Sequence, residues 1–218
     1  MENIYKRISL VDRVFEKLED DIIVGRYSRG EALTELRLAE ELGVSRTPIH
    51  DALLRLAQER LIVDNGRGYT VLGITWDDLM DIMEIRLNVE GLTSYYTALE
   101  RTPEALEDLR RIVELEEFYT AKKDLDRIRE TDDQFHSAIC HMHKHHVISD
   151  TLLPLHKKIQ RYRRASMASE ERMKVMAAEH RAIYEAIAAG DAESAKRLTV
   201  LHVQNAKMSM LKEKERMN

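Results

Sequence analysis

Apolar residues recur at three- and four-residue spacing through most of this chain, and few helix breakers interrupt them. The 218 residues include only three prolines and eight glycines. Because one face of an α-helix repeats every 3.6 residues, this spacing predicts amphipathic helices along most of the chain. Hydrophobic residues make up 44% of the sequence, enough for the core of one large or two small domains. The predicted fold class is therefore mainly α.

Charge and cysteine content restrict the partners and the compartment. The net charge of -5 excludes a globally basic nucleic-acid binder, so any DNA contact must come from a local patch. Cys140 is the only cysteine, which excludes an internal disulfide and a cysteine-based zinc cluster. No segment approaches the ~18 to 20 apolar residues that span a bilayer. We expect a cytoplasmic protein with no membrane partner.

Residues 1 to 75 have the pattern of a helix-turn-helix domain. A first helix runs to Gly25, and a second, from about 35 to 42, ends at Gly43, which can adopt a positive φ. Ser45 is expected to cap a third helix by accepting a backbone N–H bond, and Pro48 is tolerated in its first turn. Two short helices joined by a four-residue turn have the helix-turn-helix form.

Two β-prone runs follow, LIVD and YTVL, on either side of NGRG. Asn65-Gly66 favours the positive φ angles of a tight hairpin, which completes a winged helix. In that arrangement the third helix presents its N-terminal residues to the major groove, and Arg67 at the wing tip can reach a phosphate or the minor groove. The predicted DNA contacts are Arg37, Ser45, Arg46, Thr47, His50, Arg67 and Gly68.

Charge alone does not support DNA binding, because this segment has 11 basic and 13 acidic residues. Helix-turn-helix geometry also occurs in proteins that never bind DNA. The placement of Arg46 at the start of the third helix and of Arg67 in the wing favours a protein that contacts bases in the DNA grooves. In addition, the run LRLAEELGVSRTPIHDALLRLAQERLIVDNGRGYTV resembles the DNA-binding domain of the GntR family of bacterial transcription regulators.

The chain departs from that family pattern at three positions. His50 and Asp51 replace a usual Arg-Glu pair, and Arg60 stands where glycine is common. The usual arginine contacts DNA in characterised relatives, whereas a histidine carries less charge at neutral pH. The resemblance therefore implies an altered operator preference or weaker binding.

Residues 76 to 218 are predicted to form an antiparallel all-α bundle. Thr102, Ser169 and Asp191 are placed to begin helices, and Gly190 to end one. Short connections between long helices imply antiparallel neighbours. The predicted helices cover residues 76 to 100, 103 to 121, 124 to 143, 147 to 167, 170 to 189 and 191 to 213.

Several histidines of this half lie within apolar helical stripes. Asp132 and His136 are four residues apart, so both point to one side of their helix, and His180 and His202 have apolar neighbours. Together they could bind one divalent ion, with Zn, Ni, Mn and Fe all suited to such ligands. The alternative is that each ring is buried separately and satisfied by one hydrogen bond. Spacing alone does not bring the four together.

The stretch DDQFHSAICHMHKHH also contains His141, His143, His145 and His146. We expect these four on a solvent-exposed helix terminus, with adventitious nickel or zinc binding open to His141 and His145.

A second resemblance covers this half. IRLNVEG, DDQFH, AEHRAIYEAIAAGDAESAKRL and LHV resemble the FCD effector domain of the FadR-type GntR subfamily. It implies that Asp132, His136, His180 and His202 hold a metal that binds a small carboxylate effector. Arg86 either pairs with Glu90 one turn later or binds the effector's carboxylate. Arg161, Arg163 and Arg164 are expected on a solvated face, with one a candidate for the pocket.

These features predict a homodimeric regulator, most simply a repressor. Its winged helices would bind a palindromic operator in double-stranded DNA, and its domain at 76–218 would bind metal and a small organic acid and mediate dimerisation. A metalloenzyme is the rival class. Four protein ligands tend to fill a tetrahedral site, and no glutamate is placed as a general base as in HExxH, so we expect no enzyme. A purely structural metal is the third option.

Overall fold

The computed structural model describes residues 9–160 and 169–217, and the chain divides into two compact units between Trp76 and Asp77. In the described part of the first unit, three helices accompany a small sheet. They are α1 (Leu10–Ile23), β1 (Ala32–Leu33), α2 (Glu35–Leu42), α3 (Arg46–Gln58), β2 (Ile62–Asp64) and β3 (Tyr69–Val71).

Local capping explains where the first two helices begin and end. Ser9 Oγ accepts a hydrogen bond from the backbone N–H of Asp12 at 3.0 Å, and the Asp12 carboxylate accepts one in return from the N–H of Ser9. Thr34 caps α2 in the same way through the N–H of Arg37. Gly43 ends α2 with φ of 64°. The expected glycine C-cap is therefore present.

The prediction for Ser45 was wrong in one respect. Ser45 precedes α3 with extended backbone angles, but its side chain makes no capping hydrogen bond. Ser45 and the first residues of α3 are exposed, so water can satisfy the amides of this turn.

The wing has its two strands on either side of NGRG as predicted, but Asn65 does not adopt the expected positive φ. β2 and β3 pair through Asp64 and Tyr69, which leaves a four-residue loop closed by the N–H of Asn65 donating to the carbonyl of Gly68. Gly66 has φ of 78°, whereas Asn65 is not among the positive-φ residues. A Cβ at Gly68 would lie 2.9 Å from the carbonyl oxygen of Leu33, because β1 pairs with β3 on its other side. The two-residue strand β1 was not predicted.

One apolar core holds the first unit together. Its fully buried members come from all three helices and from the sheet, as the alternating apolar spacing requires. They include Leu18, Ile22, Leu33, Leu38, Ile49, Leu53, Leu56 and Ile62.

The second unit is a bundle of long helices. Its described helices are α4 (Trp76–Glu100), α5 (Pro103–Lys122), α6 (Leu125–His141), α7 (His146–Lys158), α8 (Glu170–Ala189) and α9 (Ala192–Met217). Consecutive helices joined by short connections pack on each other, α5 on α6 and α8 on α9, and α5 also packs on α8. Thr102, Ser169 and Asp191 each accept the predicted capping hydrogen bond.

The fourth predicted helix of this unit, residues 147 to 167, is interrupted at Ile159. α7 ends at Lys158, the N–H of Ile159 bonds back to the carbonyls of Leu155 and Lys157, and Gln160 is again helical. The rest of this predicted helix, with Arg161, Arg163 and Arg164, lies outside the described residues.

One of the four supposedly exposed histidines is buried. His143 is only 5% exposed, because the chain turns sharply between α6 and α7 and folds this ring inward near Tyr96. Its Nδ1 accepts a hydrogen bond from the N–H of His145 at 3.2 Å. His145 is half-buried and stacks on Tyr96, whereas His141 and His146 are exposed as expected.

None of the described helices combines the length and the apolar character needed to cross a membrane.

Candidate metal centre and DNA-binding surface

The structure brings the four predicted metal ligands together in the second unit. Asp132 and His136 project from α6, His180 from α8 and His202 from α9, and all four are buried. The Nε2 atoms of His180 and His202 lie 3.4 Å apart. Asp132 Oδ1 lies 3.7 Å from Nε2 of His136 and 3.9 Å from Nε2 of His180. Ring nitrogens of the three histidines lie within 4.8 Å of one another, and Asp132 borders two of the rings.

A glutamate stands behind each of the three rings. In every case its carboxylate oxygen lies within hydrogen-bond distance of Nδ1, the nitrogen that does not face the other histidines. The pairs are His136 with Glu90 at 2.8 Å, His180 with Glu116 at 2.8 Å and His202 with Glu179 at 2.9 Å. A carboxylate only accepts hydrogen bonds, so each Nδ1 carries the proton and each Nε2 presents a lone pair.

Converging lone pairs fit a cation better than any internal hydrogen bond. Two neutral Nε2 atoms at 3.4 Å repel each other unless something positive lies between them. Ligands at ~2.1 Å from a tetrahedral ion stand ~3.4 Å apart, which matches the spacing of His180 and His202.

The electrostatics of the site favour neutral imidazoles, the form that binds metals. Burial lowers the pKa of His136 to about 3, although Glu90 opposes this shift. Burial also holds the pKa of His202 well below its usual value, and the neighbouring His180 and His136 add to this effect.

The charges around the centre also suit a divalent ion. Asp132 and the three glutamates contribute four carboxylates, and Arg86 and Arg172 contribute two guanidinium groups. With all of these ionised, four negative charges face two positive ones, leaving two negative charges. Removing charge from water is costly unless it is paired, so a bound dication would balance this interior.

Glu179 is itself held in place. Its carboxylate accepts hydrogen bonds from both terminal nitrogens of Arg172 and from the side-chain amide of Asn205 at 2.8 Å. The orientation of the His202 ring is therefore fixed through a chain of three side chains.

Arg86 forms a buried ion pair on α4. Its Nε and Nη2 donate to the two oxygens of Glu90 at 2.6 and 3.1 Å, and both side chains are 3% exposed or less. Burial alone would raise the pKa of Glu90, but Arg86, His156 and His136 together hold it well below the usual range. Of the two interpretations of Arg86, the structure shows the internal salt bridge.

A small cavity adjoins the centre. Its volume is about 10 Å³, close to the space that one water occupies, and Glu90, His136, His156 and Thr199 are among its lining residues. Nε2 of His156 lies 3.3 Å from Glu90 but is poorly aligned, and neither ring nitrogen of this buried histidine hydrogen-bonds to a described residue. His156 can therefore offer a polar contact to a ligand.

Sequence reasoning missed Glu116, Glu179 and His156. A glutamate on an amphipathic helix is usually solvated, and nothing in the spacing marks these two as inward-facing. His156 lies in LLPLH, where the preceding leucines were a usable signal for burial. We expected no glutamate placed as a general base, and the three glutamates present contact Nδ1 and not the Nε2 side of the rings.

In the first unit, the predicted groove-reading residues lie on an exposed surface. Ser45, Arg46, Thr47 and His50 are all exposed at the start of α3, while the intervening Pro48 and Ile49 are buried. The helix therefore presents these side chains outward and packs its opposite face on the core.

The three remaining predicted contacts differ in availability. Arg37 is bound by two carboxylates, Glu41 at 2.7 Å and Glu31 at 3.0 Å, which compete with a phosphate. The Arg67 side chain is exposed and makes no ion pair with a described residue. Gly68 lies beside it in the wing.

The winged helix and the buried histidine centre define a two-domain transcription regulator with a DNA-binding unit and a helical second unit. The model of bacterial regulatory proteins of the gntR family matches residues 10–71, and the FCD domain model matches residues 81–205. The chain therefore belongs to the GntR family, among the members that carry an FCD domain.

Individual relatives agree with this assignment. The Gluconate operon transcriptional repressor of Bacillus licheniformis is 33% identical over 142 residues, which cover 65% of this chain and 58% of that protein's length. The Uxu operon regulator of Haemophilus influenzae is 27% identical over 96% of this chain and 84% of its own. Among solved structures, E. coli McbR/YncC matches with a TM-score of 0.78 at 22% identity, covering 96% of this chain and 99% of that one, which supports the fold.

Proposed function

We propose that this regulator is a homodimeric repressor whose affinity for a palindromic operator is controlled by a small organic acid bound at a divalent metal centre. Asp132, His136, His180 and His202 hold the metal, and Zn, Ni, Mn or Fe would suit this ligand set. Arg46, Thr47 and His50 on α3, with Arg67 in the wing, contact DNA. The metal, when bound, polarises and fixes a carboxylate oxygen.

One observation carries the metal part of this proposal. Three histidines from three helices direct Nε2 to one point while a glutamate occupies each Nδ1. Buried histidines kept only for packing need one hydrogen bond each, and the Nδ1 contacts already supply it. The convergence of the other nitrogens is explained by an ion.

The acid part of the proposal rests on what borders the centre. Arg86 has the planar, two-pronged donor geometry that suits a carboxylate, and at present Glu90 occupies it. A ligand carboxylate that displaces Glu90 would meet Arg86 and His156 on the Nδ1 side of His136, and a second oxygen donor of the same acid would have to reach the metal on the Nε2 side. Relatives named for the gluconate and L-lactate dehydrogenase operons point to carboxylates of the hydroxy-acid kind.

The acid must favour one arrangement of the dimer over another to alter DNA affinity, because a ligand shifts an equilibrium only through differential binding. Some relatives are named repressors. We therefore propose that binding of the acid lowers DNA affinity and releases the operator.

Fluorescence anisotropy on duplexes from the protein's own promoter tests this function. Metal-loaded protein should bind one site specifically, and one acid of a panel of hydroxy and sugar acids should weaken binding by about fivefold or more. If no acid changes either DNA affinity or melting temperature, the metal is structural and the sensing proposal fails.

A purely structural metal is the second candidate, favoured by the size of the cavity. About 10 Å³ does not hold an organic acid without movement of the lining side chains. Metal removal would then lower the melting temperature, and no acid would have an effect.

A further inference from the structure

Glu35, at the start of α2, holds two side chains of the groove-reading surface. Its Oε2 accepts hydrogen bonds from Nε and Nη2 of Arg46 at 3.2 and 2.7 Å. Its Oε1 lies 2.8 Å from Nδ1 of His50. The Glu35 side chain is 23% exposed, against 67% for Arg46 and 49% for His50, so the carboxylate lies beneath the two groups it orients.

This contact decides which nitrogen of the His50 ring carries a proton. Hydrogen bonds from Arg46 first, and from His50 next, lower the pKa of Glu35, so the carboxylate is ionised and can only accept. Nδ1 must therefore be the donor. In the neutral ring the single proton is therefore on Nδ1. Nε2 is left as an acceptor on the exposed side of His50, and it makes no hydrogen bond to a described residue.

An acceptor at this position reads a different base from the arginine that is usual in the family. Arginine donates to O6 and N7 of guanine. An unprotonated Nε2 instead needs a donor, and in the major groove the donors are the amino groups of adenine N6 and cytosine N4.

We propose that His50 selects an amino-bearing base, adenine or cytosine, on the strand it faces, and that Glu35 sets this selection by fixing the ring's tautomer. This inference rests on the proposed DNA contact of α3 and deepens it. Glu35 is a positioning residue here, since it acts through His50 and Arg46.

The placement of an acidic group on this surface favours discrimination over affinity. Glu35, Arg46, His50, Asp64 and Arg67 line one open recess of about 410 Å³ between the helices and the wing. A carboxylate near DNA phosphates weakens binding to every sequence, and it neutralises Arg46 as well. Such a group is useful where it orients the groups that read bases.

Selection of bound duplexes from a randomised library tests the proposal with the full-length, metal-loaded protein at about pH 8. Wild type should enrich a motif with adenine or cytosine at one position of each half-site, preferred about tenfold over guanine. His50→Arg should change that position to guanine and leave the others as they are. Circular dichroism spectra and melting temperatures establish that each variant is folded.

Glu35→Ala tests the positioning role, with Glu40→Ala as its matched control. Glu40 is an exposed acidic residue on the same helix that contacts neither Arg46 nor His50. Glu35→Ala should reduce the preference at the His50 position several-fold and raise affinity for all sequences, because it frees Arg46 for phosphate. Glu40→Ala should keep the preference at that position.

The possible failures are distinguishable. If no motif is enriched by any variant, DNA recognition by α3 fails and the proposed function fails with it. If wild type prefers guanine or thymine on the strand where His50→Arg enriches guanine, or if His50→Arg leaves every position unchanged, the inference about His50 is wrong. Equal loss of preference in Glu35→Ala and Glu40→Ala would show a charge effect and contradict the role of Glu35.

Discussion

The Nε2 atoms of His180 and His202 lie 3.4 Å apart although both rings are buried and both have Nδ1 against a glutamate. This contact between two acceptors is unfavourable unless a cation joins them. It is the strongest single indication that the second unit of this regulator is built around an ion.

Replacing Asp132 and His180 together by alanine should abolish stoichiometric metal binding, because it removes two of the four converging groups. Elemental analysis of the purified protein measures this directly. His141→Ala with His146→Ala is the matched control, since both rings are exposed and neither belongs to the four converging groups. A metal content unchanged by the first pair would place the site elsewhere.

Glu116→Gln should weaken metal binding by about 10- to 100-fold without removing any ligand, because a neutral amide orients and polarises the His180 ring less well. Competition with a chromophoric chelator gives the affinity. Glu117→Gln serves as the control, since the neighbouring Glu117 instead pairs with Arg181 at the surface. Equal affinities for the two variants would refute a role for the glutamates behind the rings.

Arg86→Ala should destabilise the folded protein by about 3 to 5 kcal/mol, because it leaves Glu90 charged and buried without its main partner. Urea denaturation measures the free energy of unfolding. Arg181→Ala breaks a more exposed pair with Glu117 and should lose less than about 1 kcal/mol. A loss as small for Arg86 would mean that water reaches Glu90.

Arg60→Gly should stabilise the protein by about 0.5 to 1 kcal/mol. Arg60 has φ of 57°, a left-handed conformation that costs a residue with a side chain about 1 to 2 kcal/mol. Glycine removes this cost, but its greater conformational freedom in the unfolded chain offsets part of the gain. Thermal unfolding should show a higher midpoint. Gln58→Gly, two residues earlier within α3, should instead lower it. Arg60 is one of the departures from the family pattern, and its strain was not visible until its backbone angle was known.

Cys140 should resist alkylation in the folded protein at about pH 8. Burial raises the pKa of its thiol to about 12, so little of the reactive thiolate forms. A thiol that is harder to ionise when folded stabilises the folded state below its unfolded pKa, and this contribution is lost as pH rises from about 9 towards 12. Mass spectrometry after iodoacetamide treatment, with and without denaturant, measures the difference. Rapid labelling of the native chain would contradict this burial.

Helical spacing was sufficient to predict most helices of the second unit. It also identified the candidate metal ligands, because ligands that face a bundle axis must lie within apolar stripes. Asp132 and His136 could be paired from their four-residue separation. The glutamates behind His180 and His202 could not be predicted, because Glu116 and Glu179 have the sequence surroundings of ordinary solvated residues and become buried only through tertiary packing. The burial of His143 depends likewise on a turn whose geometry the surrounding histidines do not reveal.

In the first unit, glycine was sufficient to predict the end of α2 at Gly43. The strand β1 could not be predicted, because a two-residue strand has no periodicity of its own and exists only through its pairing with β3. The contacts of Glu35 with Arg46 and His50 could not be predicted either, since 11 and 15 residues separate it from them.

The cavity beside the histidine centre holds about as much as one water molecule. If the proposed organic acid binds here, it must push apart side chains of α4, α6 and α7, and part of its binding energy would go into displacing them. A roomy pocket would have admitted the same acid without moving anything. Under the proposed function, tight packing around Glu90 and His156 would therefore couple binding of the acid to movement of the surrounding side chains.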